Sequence, residues 1–314
     1  MIPYIQIPDG HIGPVPLHPF GVLVATGVLL GTGMTARRAR WLGWDVVKLN
    51  SFITWMLVTA FVLSHVLDSL FYHWSEVVKR PWSVIMLWEG LSSFGGFTGA
   101  VIGIVAWRYL VIDGGRLRVR PRPHPILPYA DLVASCLPLG WMFGRMGCAS
   151  VHDHPGARAA ADTLVAVAYP KFAGDGTVTK LWFIELIDGH DPRFDLGFLE
   201  LLFTILLVSC FALTWRRRVP LGSYLIATAL SYAPVRFAMD FLRVPTGERV
   251  LGVPVEGDTR YAGLTPAQYG CIALFLFGVY LFFYVRGLRK RGIDPTLAVR
   301  TPPELPEGTA SVTA

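Results

Sequence analysis

Tyr232, Arg236, Asp240 and Arg243 recur at intervals of four, four and three residues inside an otherwise apolar stretch, 231–243. On a helix these positions stack on one face. An ionisable group inside a membrane span costs about 2.5–3.5 kcal/mol on insertion scales, so two guanidinium groups and a carboxylate in one stripe need a reason. A stripe held ready for an anionic head group is one reason. An Arg236–Asp240 ion pair that locks a helix bundle, with Arg243 reaching out to the interface, is the other.

A second group lies in 144–156, Gly-Arg-Met-Gly-Cys-Ala-Ser-Val-His-Asp-His-Pro-Gly. Gly144 and Gly147 permit close approach of backbone to a ligand, and Arg145 supplies a planar fork that matches phosphate oxygens. His152 and His154 offer a base, with Asp153 as the carboxylate that orients it. Read structurally, Arg145 is an interfacial anchor and the glycines are helix caps. Cys148, His152, Asp153 and His154 are all metal-ligand types, but the spacing C-x3-H-D-H matches no standard zinc site. No metal and no cofactor are therefore expected. Gly95, Gly99 and Gly103 repeat every fourth residue, a small-residue face on which two helices touch. Glu200 is a further acid in an apolar run, placed either for chemistry or for a hydrogen bond to a neighbouring helix.

The elements that must position these groups are membrane spans. Of the 314 residues, 53% are hydrophobic and only 16% charged, with a mean hydropathy of +0.48. Soluble domains carry about a quarter charged residues. Seven apolar stretches, near 17–36, 46–66, 94–112, 126–143, 196–215, 221–241 and 266–285, are each about 20 residues long, enough for roughly 30 Å of hydrocarbon. Backbone groups must pair internally in lipid, so the expectation is an all-α polytopic membrane protein of about seven transmembrane helices. Arginine and lysine cluster at 37–40, 116–122, 216–218 and 286–291, after every second run. The positive-inside rule then puts the C-terminus in the cytoplasm and the N-terminus outside. Spread this way, the net charge of +6 reads as a topology signal and not as a nucleic-acid footprint. The four cysteines show no disulfide or zinc-ribbon spacing. The first 16 residues, with four prolines and no basic start, do not read as a cleavable signal.

The expected organisation is a transmembrane domain over 1–291, with a small folded insert at about 144–195 on the outer side. Residues 292–314, rich in proline and small polar residues, read as a disordered cytoplasmic tail. No internal repeat is evident.

Several of these segments resemble the prolipoprotein diacylglyceryl transferases of bacterial inner membranes. Gly13 to Gly21 is similar to that family's opening G-P-x-x-(I/L)-x-x-Y-G. Residues 88–99 look like its W-x-G-G-x-x-x-H-G-G-x-x-G, shortened by one, with Gly95 and Gly96 on the paired glycines and Phe94 on the histidine. Residues 144–147 look like the start of its G-R-x-G-N-F-x-N-G-E-x-x-G signature. There Cys148 and Val151 stand on the asparagines, Asp153 on the glutamate and Gly156 on the last glycine. Glu200 is what remains of H-P-x-Q-L-Y-E. Residues 232–243 resemble Y-x3-R-F-x2-E-x2-R, with Asp240 on the glutamate. Gln268 falls on a glutamine that opens the last span, and Phe20 on the tyrosine of the first.

The resemblance implies transfer of the diacylglyceryl group of phosphatidylglycerol to the lipobox cysteine of a prolipoprotein, with a thioether formed and glycerol phosphate released. It implies partners to match: phosphatidylglycerol, a prolipoprotein lipobox segment and the lipid bilayer, with no nucleic acid. It places the chain as a multi-pass protein of the inner membrane, with a small periplasmic insert and the active site on the periplasmic side. On it, Arg145 and Arg236 bind phosphate, helped by Arg243, Tyr232, Asp240, Gly144, Gly147 and Gly156. His154 or His152, with Asp153, replaces the missing family histidine as base, and Glu200, Gly95 and Gly96 are secondary. Two further readings follow from the departures. One is an inactive homologue that binds anionic phospholipid or lipoprotein as an accessory factor. The other is a phospholipid head-group hydrolase using His152, Asp153 and His154.

Overall fold

The computed structural model describes residues 1–13, 15–86, 90–255, 257 and 259–301. Its helices are α1 (Pro19–Leu42), α2 (Val46–Tyr72), α3 (Trp74–Lys79), α4 (Ser93–Tyr109), α5 (Ile126–Ala134), α6 (Leu137–Val151), α7 (Leu196–Thr214), α8 (Ser223–Met239) and α9 (Pro266–Lys290). Each of the seven apolar runs falls on one of these helices or on the α5–α6 pair. Among the described residues, five helices are long and apolar enough to cross a membrane, and six spans result if α5 and α6, bent by 49°, count as one. The chain is a polytopic membrane protein. Run three, expected as a full span, is a helix of 17 residues.

The fourth apolar run, 126–143, is divided between two helices. Pro138 has no N–H to give to Ala134, and its ring would strike that carbonyl. The helix therefore stops at Ala134 and restarts at Leu137 with Pro138 in its first turn.

Two compact units divide the chain, Met1–Thr35 with Asp131–Ile293 and Ala36–Ala130 with Asp294–Ala314. In the second unit α2 and α4 pack along the expected glycine face. A methyl group built on Gly95 would lie 2.5 Å from Leu63 O, and methyls on Gly99 and Gly103 would collide with Thr59 and Trp55. Thr59 Oγ1 uses this closeness to donate to Gly99 O at 2.8 Å. The basic segment after α4 folds as a hairpin of β4 (Leu110–Asp113) and β5 (Arg116–Val119). Residues 294–301, expected to be part of a disordered tail, are instead ordered. Pro295–Val299 is a 3₁₀ turn with Val299 buried, and Asp45 N donates to Val299 O at 2.9 Å. The rest of that tail, 302–314, lies outside the described residues.

The first unit carries an insert after α6, and its strands depart from an all-α description. Helix α6 continues to Val151, so the insert begins at His152. It forms strands β6 (Pro155–Arg158), β7 (Ala166–Tyr169), β8 (Val178–Leu181), β9 (Ile184–Ile187) and β10 (Asp191–Asp195). These join β1 (Ile2–Gln6) in a six-stranded sheet of order β6-β10-β7-β1-β9-β8. The chain start is thus a central strand, parallel to β7 and antiparallel to β9. A hairpin of β2 (Gly10–Ile12) and β3 (Val15–Leu17) leads into α1, and another of β11 (Arg249–Val250) and β12 (Val253–Pro254) follows α8. Tyr4, Val167, Tyr169, Ile187, Val244 and Val250 form the apolar core under the sheet.

Candidate active site

Four helices of the first unit supply the polar groups. Helix α6 passes close to α1 where Gly27 and Gly140 face each other; a methyl on Gly27 would sit 2.5 Å from Gly140 O. It also runs close to α7, where a methyl on Gly197 would sit 3.1 Å from Cys148 Cβ. That crossing brings Arg145 of α6 to Glu200 of α7, with Nη2 3.0 Å from Oε2. The other carboxylate oxygen of Glu200 accepts the Tyr232 hydroxyl of α8 at 2.5 Å. Glu200 is 3% exposed. It does hydrogen-bond neighbouring helices, and it joins two of them to its own.

One turn beyond Tyr232, Arg236 donates to Asp240 Oδ1 at 2.8 Å, and Arg243 Nε reaches the same oxygen at 2.6 Å. The Thr265 hydroxyl donates to Oδ2, a very short contact. Thr265 is also the N-cap of α9: its Oγ1 accepts Gln268 N, while Gln268 Oε1 accepts Thr265 N at 3.0 Å. Asp240 is fully buried, which its three donors make tolerable. The expected stripe holds as far as Asp240. Helix α8 then ends in a 3₁₀ turn and Arg243 is extended, so its side chain folds back to Asp240 by the turn of the chain and not by helical stacking. Both Arg145 and Arg236 lie within electrostatic reach of the Tyr232–Glu200 pair. The two arginines therefore share one polar centre. Gly156 fits against Phe194 O and Leu242 O, 2.5 and 2.7 Å from where a Cβ would stand, and pairs by backbone with Arg243. Gly147 makes room for the Phe20 ring. Gly144 has nothing within 4 Å of its missing Cβ.

The His152-Asp153-His154 triplet does not act as a unit. His152 ends α6 in the left-handed conformation, φ 51°, and its ring turns inward under the sheet. Nδ1 lies 2.5 Å from Asp195 Oδ2, Nε2 lies 2.9 Å from Ile5 O, and Tyr4 stacks on the ring at 3.7 Å. Both ring nitrogens are therefore already engaged inside the protein. His152, one of the two expected bases, is thereby placed inside the protein and not at the open surface. Tyr169 donates to the same Asp195 oxygen at 2.8 Å, and Asp195 Oδ1 caps α7 at Phe198 N. Burial, with the Asp195 charge adding to it, pushes the Tyr4 hydroxyl up to about 12 and Tyr169 higher still.

Asp153 and His154 remain partly open, 37% and 38% exposed at the side chain, and bond each other at 2.5 Å. The turn at His152 swings them back over the last turn of α6, where buried Cys148 faces them. A ligand atom from each of Cys148, Asp153 and His154 lies within 4.8 Å of the others. Cys148 Sγ accepts from Arg145 Nη1 at 3.6 Å.

Gly95 and Gly96 belong to the second unit, where Gly95 makes the α2 contact and caps onto Ser92 Oγ. Phe94 is exposed. Of the segment 88–99, Trp88 and Glu89 lie outside the described residues. The sequence reading missed Tyr4, Tyr169, Asp195 and Thr265. Asp195, immediately before the apolar run 196–214, carries an N-cap signal. So does Thr265, followed three residues later by Gln268. The two tyrosines carry none. It also missed Arg193, fully buried, which ties Asp191, Glu248 and the Gly156 carbonyl together beneath the sheet.

Fold and polar centre together define an integral membrane protein with ion-paired groups gathered among apolar helices. The family model of prolipoprotein diacylglyceryl transferase matches residues 10–284, and the chain belongs to that family of transferases. It is similar to the phosphatidylglycerol–prolipoprotein diacylglyceryl transferase of Nitratidesulfovibrio vulgaris, 25% identical over 283 residues covering 88% of this chain and 92% of the relative. The enzyme of the same name from Staphylococcus carnosus is 23% identical over 285 residues, 90% of this chain and 91% of its own length. That of Acinetobacter baumannii is 22% identical over 276 residues, 87% and 90%.

Proposed function

We propose that the protein transfers the diacylglyceryl group of phosphatidylglycerol to the lipobox cysteine of a prolipoprotein, at the outer face of a bacterial inner membrane. The observation that carries this reading is the pairing of Arg145 with Glu200 and of Arg236 with Asp240 around a single tyrosine. Arg145, Arg236 and Arg243 supply guanidinium groups of the planar kind that matches phosphate oxygens.

In the reaction the acceptor sulfur attacks the glyceryl carbon that bears the phosphate. The carbon–oxygen bond breaks, its electron pair leaves with glycerol phosphate, and the thiol proton goes to a base. The diester carries one negative charge and the leaving monoester approaches two. Arginines at that oxygen therefore bind the transition state better than the ground state, which is the condition for catalysis. Glu200 and Asp240 hold the arginines in advance, so little reorganisation is needed. Arg243 and Tyr232 complete the phosphate site, and Gly144 leaves its backbone open to it, while Gly147 and Gly156 make room for Phe20 and for the Phe194 and Leu242 carbonyls. His154, oriented by Asp153, takes the thiol proton, because His152 is committed to Asp195.

In this reading α4 is also a span and brings the number to seven, the basic clusters are cytoplasmic, and the sheet is periplasmic with the active site beside it. Residues 1–291 form the transferase domain. The test is an assay with phosphatidylglycerol micelles and a lipobox peptide, scored by mass spectrometry. A diacylglyceryl thioether with release of glycerol phosphate is expected. Lipid binding without thioether would overturn the reading and leave an accessory lipid-binding protein. Release of head group without thioether would leave a hydrolase.

A further inference from the structure

We propose that Cys148, Asp153 and His154 form a three-ligand site for a zinc-class divalent ion, whose open position receives the thiol of the acceptor as thiolate. The inference deepens the transfer reading, and it rests on that reading only for the identity of the thiol. Three observations carry it. First, the left-handed turn at His152 folds Asp153 and His154 back onto the buried thiol, so one sulfur, one nitrogen and one oxygen donor come within 4.8 Å of one another. A mixed set with a thiolate selects a borderline-soft ion over magnesium or calcium, and three protein ligands leave a fourth position for substrate. Second, before the acceptor binds, a thiolate and a carboxylate match a dication, while the neighbouring Arg145 is already paired with Glu200. Third, the site has an inner and an outer side. Cys148 is buried with its sulfur hydrogen-bonded by Arg145, the kind of outer contact that tunes a metal ligand. Asp153 and His154 are partly open and give an entry path.

Such an ion supplies what a free imidazole supplies less well. A thiol is mostly protonated at neutral pH, and coordination to a dication deprotonates it outright. The proton is released to water as the sulfur binds. The bound thiolate then attacks the glyceryl carbon, and the glycerol phosphate leaves toward the arginines a short distance away. In this form of the site His154 serves as ligand and not as base.

The test uses the full-length protein purified in detergent and reconstituted with zinc or cobalt(II). Bound zinc should withstand gel filtration, and the cobalt form should show a thiolate-to-metal charge-transfer band. Cys148→Ser should abolish the band, and Asp153→Asn and His154→Gln should each weaken metal retention at unchanged thermal unfolding. Adding the lipobox peptide should strengthen the band, and the same peptide with serine for cysteine should not. Metal content at background, a band that survives Cys148→Ser, or a band indifferent to the peptide thiol would each overturn the proposal. None of these readouts requires lipid transfer. Absence of metal with thioether still formed would leave His154 as a free base, whereas metal binding without thioether would overturn the transfer reading alone.

Discussion

Tyr232 and Arg145, on different helices, meet on the two oxygens of a single carboxylate, that of Glu200, at 2.5 and 3.0 Å. The carboxylate is nearly inaccessible, and these two partners satisfy it there. Glu200→Gln keeps a hydrogen bond for Tyr232 and gives up the charge that holds Arg145. Displacing a catalytic group by about 1 Å costs about 100-fold in rate, and a loss of that size is expected in the thioether assay. Glu200→Ala removes both bonds from a buried site and should also lower the thermal unfolding midpoint in detergent.

Charge alone does not explain why arginine stands at 145 and 236. A lysine would preserve the net charge but present a point donor where a phosphodiester offers two oxygens side by side. Arg145→Lys and Arg236→Lys should each reduce turnover by about 100-fold, the scale of losing one preorganised donor. For Arg236→Lys the bond to Asp240 can be retained, so the chain should still fold. Steady-state kinetics with lipid as the varied substrate would check both. Unchanged turnover in either variant would remove that guanidinium from the phosphate site.

The sequence made the helices and the Tyr232–Asp240 stripe legible, because both are written in local spacing. Seven apolar runs coincide with helices, and residues four apart on one helix must share a face. What could not be read depends on chain reversal or on distant pairing. Pro138 splits one apolar run into two helices at 49°, although the hydropathy is continuous across it. Strand β1 pairs with residues more than 160 positions away, and strands of four or five residues carry too little pattern to declare a partner. Most instructive is the triplet His152-Asp153-His154, uniform as text. A single left-handed residue sends the first ring into the protein and the next two side chains toward the solvent and Cys148.

That split separates the two histidines experimentally. His152→Ala would remove one partner of a fully buried carboxylate and the surface on which Tyr4 stacks, a change worth about 3 kcal/mol of stability. Lowered thermal stability and accelerated proteolysis of the sheet are expected from it. His154→Ala touches a half-open side chain and should leave unfolding unchanged while thioether formation falls. Swapped outcomes, with His152 silent in stability and essential in transfer, would reverse the two roles.

Glycines supply the last prediction, because the same substitution should have opposite effects at two sites. Gly33 of α1 has nothing within 4 Å of its missing Cβ. Gly33→Ala there adds a methyl without contact and removes the conformational freedom of glycine from a helix interior, so it should be neutral to slightly stabilising. At Gly99 the same methyl would overlap Thr59 O and press on Ala60. Those atoms are backbone and cannot swing away, so α4 must move off α2 and forfeit the Thr59–Gly99 hydrogen bond. Overpacking of this kind costs about 1–3 kcal/mol. Thermal unfolding of Gly99→Ala beside Gly33→Ala in the same detergent reads the difference. Without a hydrophobic driving force between helices in lipid, close contact is what holds α2 and α4 together. The destabilisation should therefore grow with side-chain size from alanine to valine at position 99 and stay flat at position 33.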